Sequence, residues 1–336
     1  MNYKSILFYF PVIVLLFSLT QCGKDEDLSK CAKIELLQTT TATPANVSIL
    51  FKVKDCNGKP IPYLDVTDFE IYENGKVISE YEASRKIFPV ATQFMYSTIL
   101  YLDLSGSILA SQNLEPLKNA AASFVESIMP AADDVNFGSF RMGIKWFDGA
   151  AEMHTLVDMT TNKTDLKNAI MGITSNISSD NSTNFYGSVI DGITNGKNYY
   201  NYYTSMQMLA NTSLVFFTDG TDQANRVTYS AASSAIDQNR AHISYYTIGL
   251  GGEVDEGVLK NIGRDGFEIA ANLTQLTATF GRMAERIKDE SNSYYLLKYC
   301  SPKRSGDNML KITIKNFSGA AEQKFSARNF TGGCNL

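Results

Sequence analysis

Residues Thr98 to Ser107 read Thr-Ile-Leu-Tyr-Leu-Asp-Leu-Ser-Gly-Ser. A continuous apolar run, Ile99 to Leu102, passes directly into Asp103-x-Ser105-x-Ser107. A run without alternation is the pattern of a strand buried on both faces, which restricts the chain to a sheet covered on both sides. In an extended segment alternate side chains point the same way, so Asp103, Ser105 and Ser107 can aim one carboxylate and two hydroxyls at a single point. Three oxygens converging just past a buried strand make most of a hard-cation site.

From Thr98 onward strands alternate with helices. Leu114, Leu117, Ala121, Phe124, Val125 and Ile128 recur at helical spacing, with Pro116 near the start where it is tolerated. Phe137 to Phe147 and Glu152 to Val157 read as a strand pair joined near Asp148-Gly149. Two helices follow, marked by Leu166, Ala169, Ile170 and Ile173, then by Tyr186, Val189, Ile190 and Ile193. Leu214 to Phe217 is a second buried strand, and Ile243 to Ile248 a third, with a helix around Ala231 to Ile236 between them. A short helix (Val258, Leu259, Ile262), a strand (Phe267 to Ile269) and a closing helix (Leu273 to Ile287) complete the series. Such alternation predicts an α/β fold with a doubly wound, mostly parallel, Rossmann-like sheet.

The flanks carry a different period. In residues 31–92, Val47, Ile49, Phe51 and Val53 alternate with more polar neighbours, Leu50 being the exception. Phe69 to Tyr72 and Lys76 to Ile78 surround Asn74-Gly75, a hairpin signal. After Ser291 the pattern of period two returns in Tyr294 to Tyr299 and in Leu310, Ile312 and Ile314. Residues 292–336 are few for a sandwich of their own, so we expect them to pair with 31–92 in one small, Ig-like β-sandwich that receives the α/β domain as an insertion. Two separate flanking β pieces are the alternative.

The ends of the chain speak of export. Lys4 precedes an apolar stretch, Ile6 to Leu19, then Leu19-Thr20-Gln21-Cys22 and the charged Gly23-Lys24-Asp25-Glu26-Asp27. The apolar stretch is short for a membrane span and is read as a signal over residues 1–21. Leu-x-x-Cys resembles a bacterial lipobox, with Gln21 larger than the small residue usual before the cysteine. That resemblance implies lipidation of Cys22, a flexible tether over 22–30, and a place in a Gram-negative cell envelope, at the outer membrane and, through the acidic run, at the cell surface. An ordinary secretory signal with an incidental cysteine is the competing reading. Setting Cys22 aside leaves Cys31, Cys56, Cys300 and Cys334, an even number suited to two disulfides in an oxidising compartment. Of three pairings, Cys31–Cys56 with Cys300–Cys334 closes two local loops. With no CxxC spacing and only two histidines, zinc is not expected. The net charge is −5 and no basic block or stripe occurs, which argues against nucleic acid as a partner.

Ligands of doubly wound sheets sit beyond the carboxyl ends of the strands. Asp103 ends the first buried strand and Asp219 the second, so both carboxylates face one crevice. Ser182-Thr183-Asn184 precedes a helix whose N-terminus belongs at the same edge, which lets Thr183 deliver a third hydroxyl. Asp-x-Ser-x-Ser, a later Ser-Thr-Asn, a later Thr218-Asp219-Gly220-Thr221 and the strand end Thr247-Ile248-Gly249-Leu250-Gly251 together resemble a von Willebrand factor A-type domain over about residues 95–290. The resemblance implies a metal-ion-dependent adhesion site in which Asp103, Ser105, Ser107, Thr183 and Asp219 match the five ligand positions. Asn181 and Ser182 stand where the family has small glycines. The resemblance further implies a protein partner that presents an acidic residue to the ion.

One or two nearby carboxylates and three neutral hydroxyls under-neutralise a divalent cation and leave it a position for an outside carboxylate. Near-octahedral oxygen ligation suits Mg²⁺; Mn²⁺ fits similarly, and Ca²⁺ prefers more ligands. Adhesion through the ion is therefore the first functional expectation. A structural or assembly role, with the ion only stabilising the fold, is the second. No nucleophile elbow, P-loop or His-Glu-x-x-His motif occurs, so an enzyme is not expected. Asp222 reads as a loop carboxylate rather than a second ion ligand. The run Asn198 to Tyr203 reads as packing or loop at the edge opposite the ion, Trp146 as core, and His154 as a surface or edge-strand residue.

Overall fold

The computed structural model describes residues 30–79, 86–88, 94–109, 112–134, 136–206 and 208–333. The signal, Cys22, most of the tether and Cys334 lie outside the described residues. In chain order the N-terminal part forms β1 (Ala32–Ala42), β2 (Asn46–Asp55), β3 (Phe69–Glu73), β4 (Lys76–Val77) and β5 (Lys86–Phe88). The middle forms β6 (Phe94–Asp103), α1 (Gly106–Leu109), α2 (Leu114–Ile128), β7 (Phe140–Phe147), β8 (His154–Thr160), α3 (Lys163–Met171) and α4 (Phe185–Ser205). It continues through β9 (Leu209–Thr218), α5 (Tyr229–Gln238), β10 (Ile243–Leu250), α6 (Glu256–Ile262), β11 (Gly266–Ala270) and α7 (Leu273–Asn292). The chain closes with β12 (Tyr294–Cys300), β13 (Asp307–Ile314) and β14 (Ala320–Ser326).

All ten residues of β6 are buried, as the unbroken apolar run requires. It is paired in parallel with β7 on one side and β9 on the other, inside a six-stranded sheet of order β11-β10-β9-β6-β7-β8. β10 and β11 extend the parallel set, and β8 is the single antiparallel strand, at one edge. One face is packed by α2, α3 and α7, with Leu117, Phe124, Leu166, Phe280 and Met283 fully buried against Leu100 and Leu102. The other is packed by α4, α5 and α6, with Phe185, Val189, Ile236 and Ile262 against Tyr101, Leu214 and Phe216. The architecture is the doubly wound, mostly parallel α/β sheet expected from the alternation.

The flanking segments form a β-sandwich drawn from both ends of the chain. One sheet has the order β1-β2-β12-β5 and the other β14-β13-β3-β4. β12 lies between β2 and β5, antiparallel to both, and β13 pairs with β3. Between the sheets, Val47, Ile49, Phe51, Val53, Phe69 and Ile71 pack against Leu297, Tyr299, Leu310 and Ile312. The Asn74-Gly75 hairpin is present, with both residues at positive φ as a tight turn of this hand needs. Cys31 and Cys56 form a disulfide. Cys300 is also disulfide-bonded.

Several local expectations differ from what is observed. β1 is an eleven-residue strand that the Thr-rich sequence disguised, because an edge strand with one half-exposed face has little apolar period. β7 begins at Phe140 rather than Phe137, which sits in a turn closed by its N–H to the Asp134 carbonyl at 2.9 Å. The tyrosine run occupies the last turns of α4 rather than a loop. Leu50 broke the alternation of β2 because the outer face of its sheet is covered as well: with Leu296 it lines a cavity of about 610 Å³ shared with Tyr200 and Met208 of the α/β part. Nearby, Lys52 of β2 and Glu290 of α7 form a buried ion pair across the junction.

Candidate metal centre

The site is built where β6, β9 and α4 meet at the carboxyl edge of the sheet. Asp103 is the last residue of β6 and is fully buried. The chain does not stay extended beyond it. The Ser105 carbonyl accepts the N–H groups of Ile108 and Leu109, both at 3.1 Å, and α1 starts at Gly106. The Ser105 N–H in turn donates to Asp103 Oδ1 at 3.0 Å, so the carboxylate fixes the turn that follows it. A helical turn, not strand alternation, brings the two serine hydroxyls to 3.4 Å from each other.

The remaining oxygens arrive from other elements. Ser107 Oγ donates to Asp219 Oδ1 at 2.8 Å, across 112 positions of sequence. Thr218 Oγ1, on the last residue of β9, donates to Asp103 Oδ2 at 2.6 Å. Thr183 is 3 % exposed and stands two residues before α4, whose N-cap Asn184 accepts the Gly187 N–H at 3.1 Å. The Thr183 carbonyl accepts N–H groups of Gln223 (2.9 Å) and Ala224 (3.0 Å) in the loop after Asp219. The Gly106 N–H reaches the Asn181 carbonyl at 3.1 Å, and a Cβ on Gly106 would sit 2.8 Å from the Asn181 side chain. The loops after β6, before α4 and after β9 are thus knitted together. Ser107 and Thr183 line one cavity of about 270 Å³ with Asn181, Gly220, Gln223 and Glu253. Asp103 and Ser105 are buried, and Asp219 is hydrogen-bonded to Ser107.

Electrostatics at this edge are unbalanced. Burial pushes the Asp103 carboxyl up to about 7, opposed by the hydrogen bonds of Thr218 and Ser105 and reinforced by the charge of Asp219. Burial also raises Asp219; Ser107 opposes the shift, and Glu253 adds to it. No Lys or Arg is among the lining residues. A buried carboxylate and a half-buried one, with no Lys or Arg lining the cavity and with hydroxyls around them, form a donor set that fits a hard divalent cation. Among the described residues no group of three or more His, Cys, Asp or Glu side chains is gathered to hold a metal, so an ion here would need the hydroxyls.

Sequence reasoning gave Gln223 and Glu253 no place at this edge, and named Thr218 and Asn181 only as motif neighbours of Asp219 and Thr183. Thr218 had a signal, since it directly precedes Asp219 at a strand end. Glu253 had none, because only the sheet order brings the loop after β10 beside β9. Asp222 is a loop residue whose carboxylate accepts backbone N–H groups of Tyr186 and Asn225, each at 3.0 Å. Trp146 is buried and stacks on His154 of edge strand β8, with ring centroids 4.0 Å apart. Tyr200 stacks on His242 at the opposite edge of the sheet.

The family profile of the von Willebrand factor type A domain matches residues 99–282, more than half of the chain and the whole span that carries this edge. The chain belongs to the von Willebrand factor type A family. Such domains are generally modules of adhesion and protein–protein interaction rather than enzymes. Solved structures similar to this VWA chain include von Willebrand factor type A from Catenulispora acidiphila, at 11% identity and TM-score 0.48, covering 89% of this chain and 73% of that one. The vWF domain of the type V pili tip protein Mfa5 from Porphyromonas gingivalis is 13% identical at TM-score 0.43, with 59% of this chain and 96% of that one covered. Proximal thread matrix protein 1 from the mussel byssus, with a zinc-occupied MIDAS motif, is 14% identical at TM-score 0.45, with coverage of 58% of this chain and 48% of that one. The VWA chain thus spans about half the length of the mussel protein. At these identities the likeness is one of fold. No curated protein matches the chain in sequence. Among the described residues no helix is long and apolar enough to cross a membrane.

Proposed function

We propose that this chain is a cell-envelope lipoprotein that captures a protein partner through a divalent cation. The cation is held by the hydroxyls of Ser105, Ser107 and Thr183 with the carboxylates of Asp103 and Asp219. The observation that carries the reading is the Ser107–Asp219 hydrogen bond at 2.8 Å, made in a cavity that Thr183 also lines. It joins oxygens from two segments 112 positions apart, and Ser107 lines the same cavity as Thr183. Mg²⁺, with Mn²⁺ or Ca²⁺ as substitutes, would supply a Lewis-acidic position for an acidic residue of the partner. The chain's own residues do the rest. Thr218 and the Ser105 amide orient the Asp103 carboxylate, Ser107 orients Asp219, and the loop after β9 fixes the Thr183 backbone.

In this reading Cys22 carries the lipid anchor and residues 22–30 the tether, with the protein at the outer membrane and exposed at the cell surface. The test is capture from envelope extract on the immobilised mature chain, in Mg²⁺ and in chelator, beside a Ser107→Ala chain. A partner retained in Mg²⁺ and released by chelator, and not retained by Ser107→Ala, is expected. Equal capture in chelator would sink the reading. If Ser107→Ala lowers only the melting temperature and keeps its partner, the ion serves the fold instead.

A further inference from the structure

Asp148, the first residue after β7, is 4 % exposed and makes no ion pair with Lys or Arg among the described residues. A buried carboxylate without a cation is costly unless its hydrogen bonds hold something in place. Both oxygens of Asp148 are engaged. Oδ1 accepts the Ala150 N–H at 2.8 Å and closes the turn 148–150. Oδ2 accepts the Ser178 hydroxyl at 2.5 Å, and Ser178 Oγ accepts the Asp180 N–H at 3.1 Å, at the start of the loop that leads to Thr183.

The turn so fixed then grips the residue after Thr183. The Asp148 carbonyl accepts the Asn184 N–H at 2.8 Å, and the Ala150 carbonyl accepts Asn184 Nδ2 at 2.7 Å. Gly149 stands between them because a Cβ there would overlap Ser182 Oγ and Asp180 Oδ1. From the far side Arg226 Nε donates to the Gly149 carbonyl at 2.6 Å. Thr183 is therefore held on two sides. The loop after β9 takes its carbonyl, and the Asp148 turn takes the amide that follows. Asp148 itself is not among the side chains that line the cavity.

We propose that Asp148 is a positioning residue for the Thr183 hydroxyl, acting through the 148–150 turn and Ser178. The inference rests on the ion-site reading above. Partners that orient a metal ligand from behind typically change metal affinity by about 10- to 100-fold when removed.

The experiment is a titration of the mature chain with Mn²⁺ alone, followed by the free-ion electron paramagnetic resonance signal up to millimolar ion. Asp148→Ala is expected to weaken Mn²⁺ binding about 10-fold, and Ser178→Ala by less. Thr183→Ala should weaken it too, and Asp148→Ala should add almost nothing in that background. The Asp148→Ala and Ser107→Ala effects should instead multiply, because Ser107 is held by other elements. If Asp148→Ala does not fold, Asp148→Asn and Ser178→Ala carry the same cycle. Unchanged Mn²⁺ affinity in a folded Asp148 variant, or multiplying effects with Thr183→Ala, would overturn the positioning role and leave the ion site standing. Unchanged affinity in Thr183→Ala would instead remove the ion site, and this inference with it.

Discussion

Asp103 is fully enclosed, and its carboxyl is held by the Ser105 amide and the Thr218 hydroxyl. A divalent cation beside it would reverse the upward pull of burial on its proton affinity and favour the charged form. Ion binding to the native state alone raises stability by about 2.7 kcal/mol at one hundred times the dissociation constant. The urea midpoint of the wild-type chain should rise in Mg²⁺, and those of Asp103→Ala and Thr183→Ala should not move with the ion. A Mg²⁺ response that survives in both variants would contradict the ligand assignment. The places of Asp103, Thr183 and Asp219 in the fold were legible because the first and last stand at strand ends and Thr183 stands just before a helix, where sequence pattern places residues well. Glu253 was not, since its neighbourhood depends on which strands lie side by side. Another buried carboxylate, Glu73, was also invisible to pattern. It accepts the Tyr299 hydroxyl at 2.9 Å, its other oxygen finds no partner among the described residues, and burial raises its proton affinity. With the folded-state pKa above the unfolded one, the native state holds the extra proton between the two values. Stability is therefore lost as pH rises through that window. Glu73→Gln should melt about 2 °C higher than wild type at neutral pH, and the gain should vanish below the ordinary carboxylate range. An equal gain at acid pH would show that packing, not charge, is responsible.

Among the elements, β6, β9 and β10 were readable because strands buried on both faces carry unbroken apolar runs. The turn at Ser105 to Ser107 was read as extended, and the local backbone answered differently. Hydrogen bonding of Asp103 to the Ser105 amide starts α1 one residue later. α4 extends through the tyrosines because Tyr203 packs with Met95 and Ala210, a tertiary contact that no local period announces. The junction of β2 with α7 was equally hidden. Lys52 and Glu290 are paired with almost no exposure, Lys54 Nζ lies 3.9 Å from the same carboxylate oxygen, and Lys54 also faces Asp265 at 3.7 Å. Removing one partner of a buried pair leaves an uncompensated charge, whereas replacing both with apolar groups is often neutral. Lys52→Met should lower stability by about 3 kcal/mol, and Lys52→Met with Glu290→Leu should recover most of it. Urea denaturation of the two variants decides the point. A single variant as stable as wild type would mean that the pair does not tie the closing helix to the sandwich.

At the scale of the molecule, the return of period two after α7 left one shared sandwich and two separate flanking β pieces both open, and the pairing of β12 with β2 and of β13 with β3 decides for the first. The order within each sheet was not readable, because nothing in the sequence of β12 states that it lies between β2 and β5. The exception at Leu50 was the one trace of the covered outer face, and it acquires meaning only when Leu296 pairs beside it and Met208 lines the same cavity from the α/β part. Chain continuity enters and leaves the α/β part at neighbouring points: Phe94 opens β6, Tyr294 opens β12, and their rings are 5.0 Å apart. Entry and exit so close together are the condition under which an inserted domain folds alone. Residues 94–294, expressed by themselves, keep the six-stranded sheet, both helical layers and all five proposed ligands. They also keep Tyr294, which is buried with Phe94 and Tyr96. In this fragment Glu290 loses Lys52 but regains water, so the cost of breaking that pair in the intact chain does not apply. The fragment should unfold in one cooperative transition and bind Mn²⁺ as tightly as the mature chain. Loss of near-ultraviolet circular dichroism with secondary structure retained would show that the α/β layers need the sandwich to pack, and that the two parts form one folding unit.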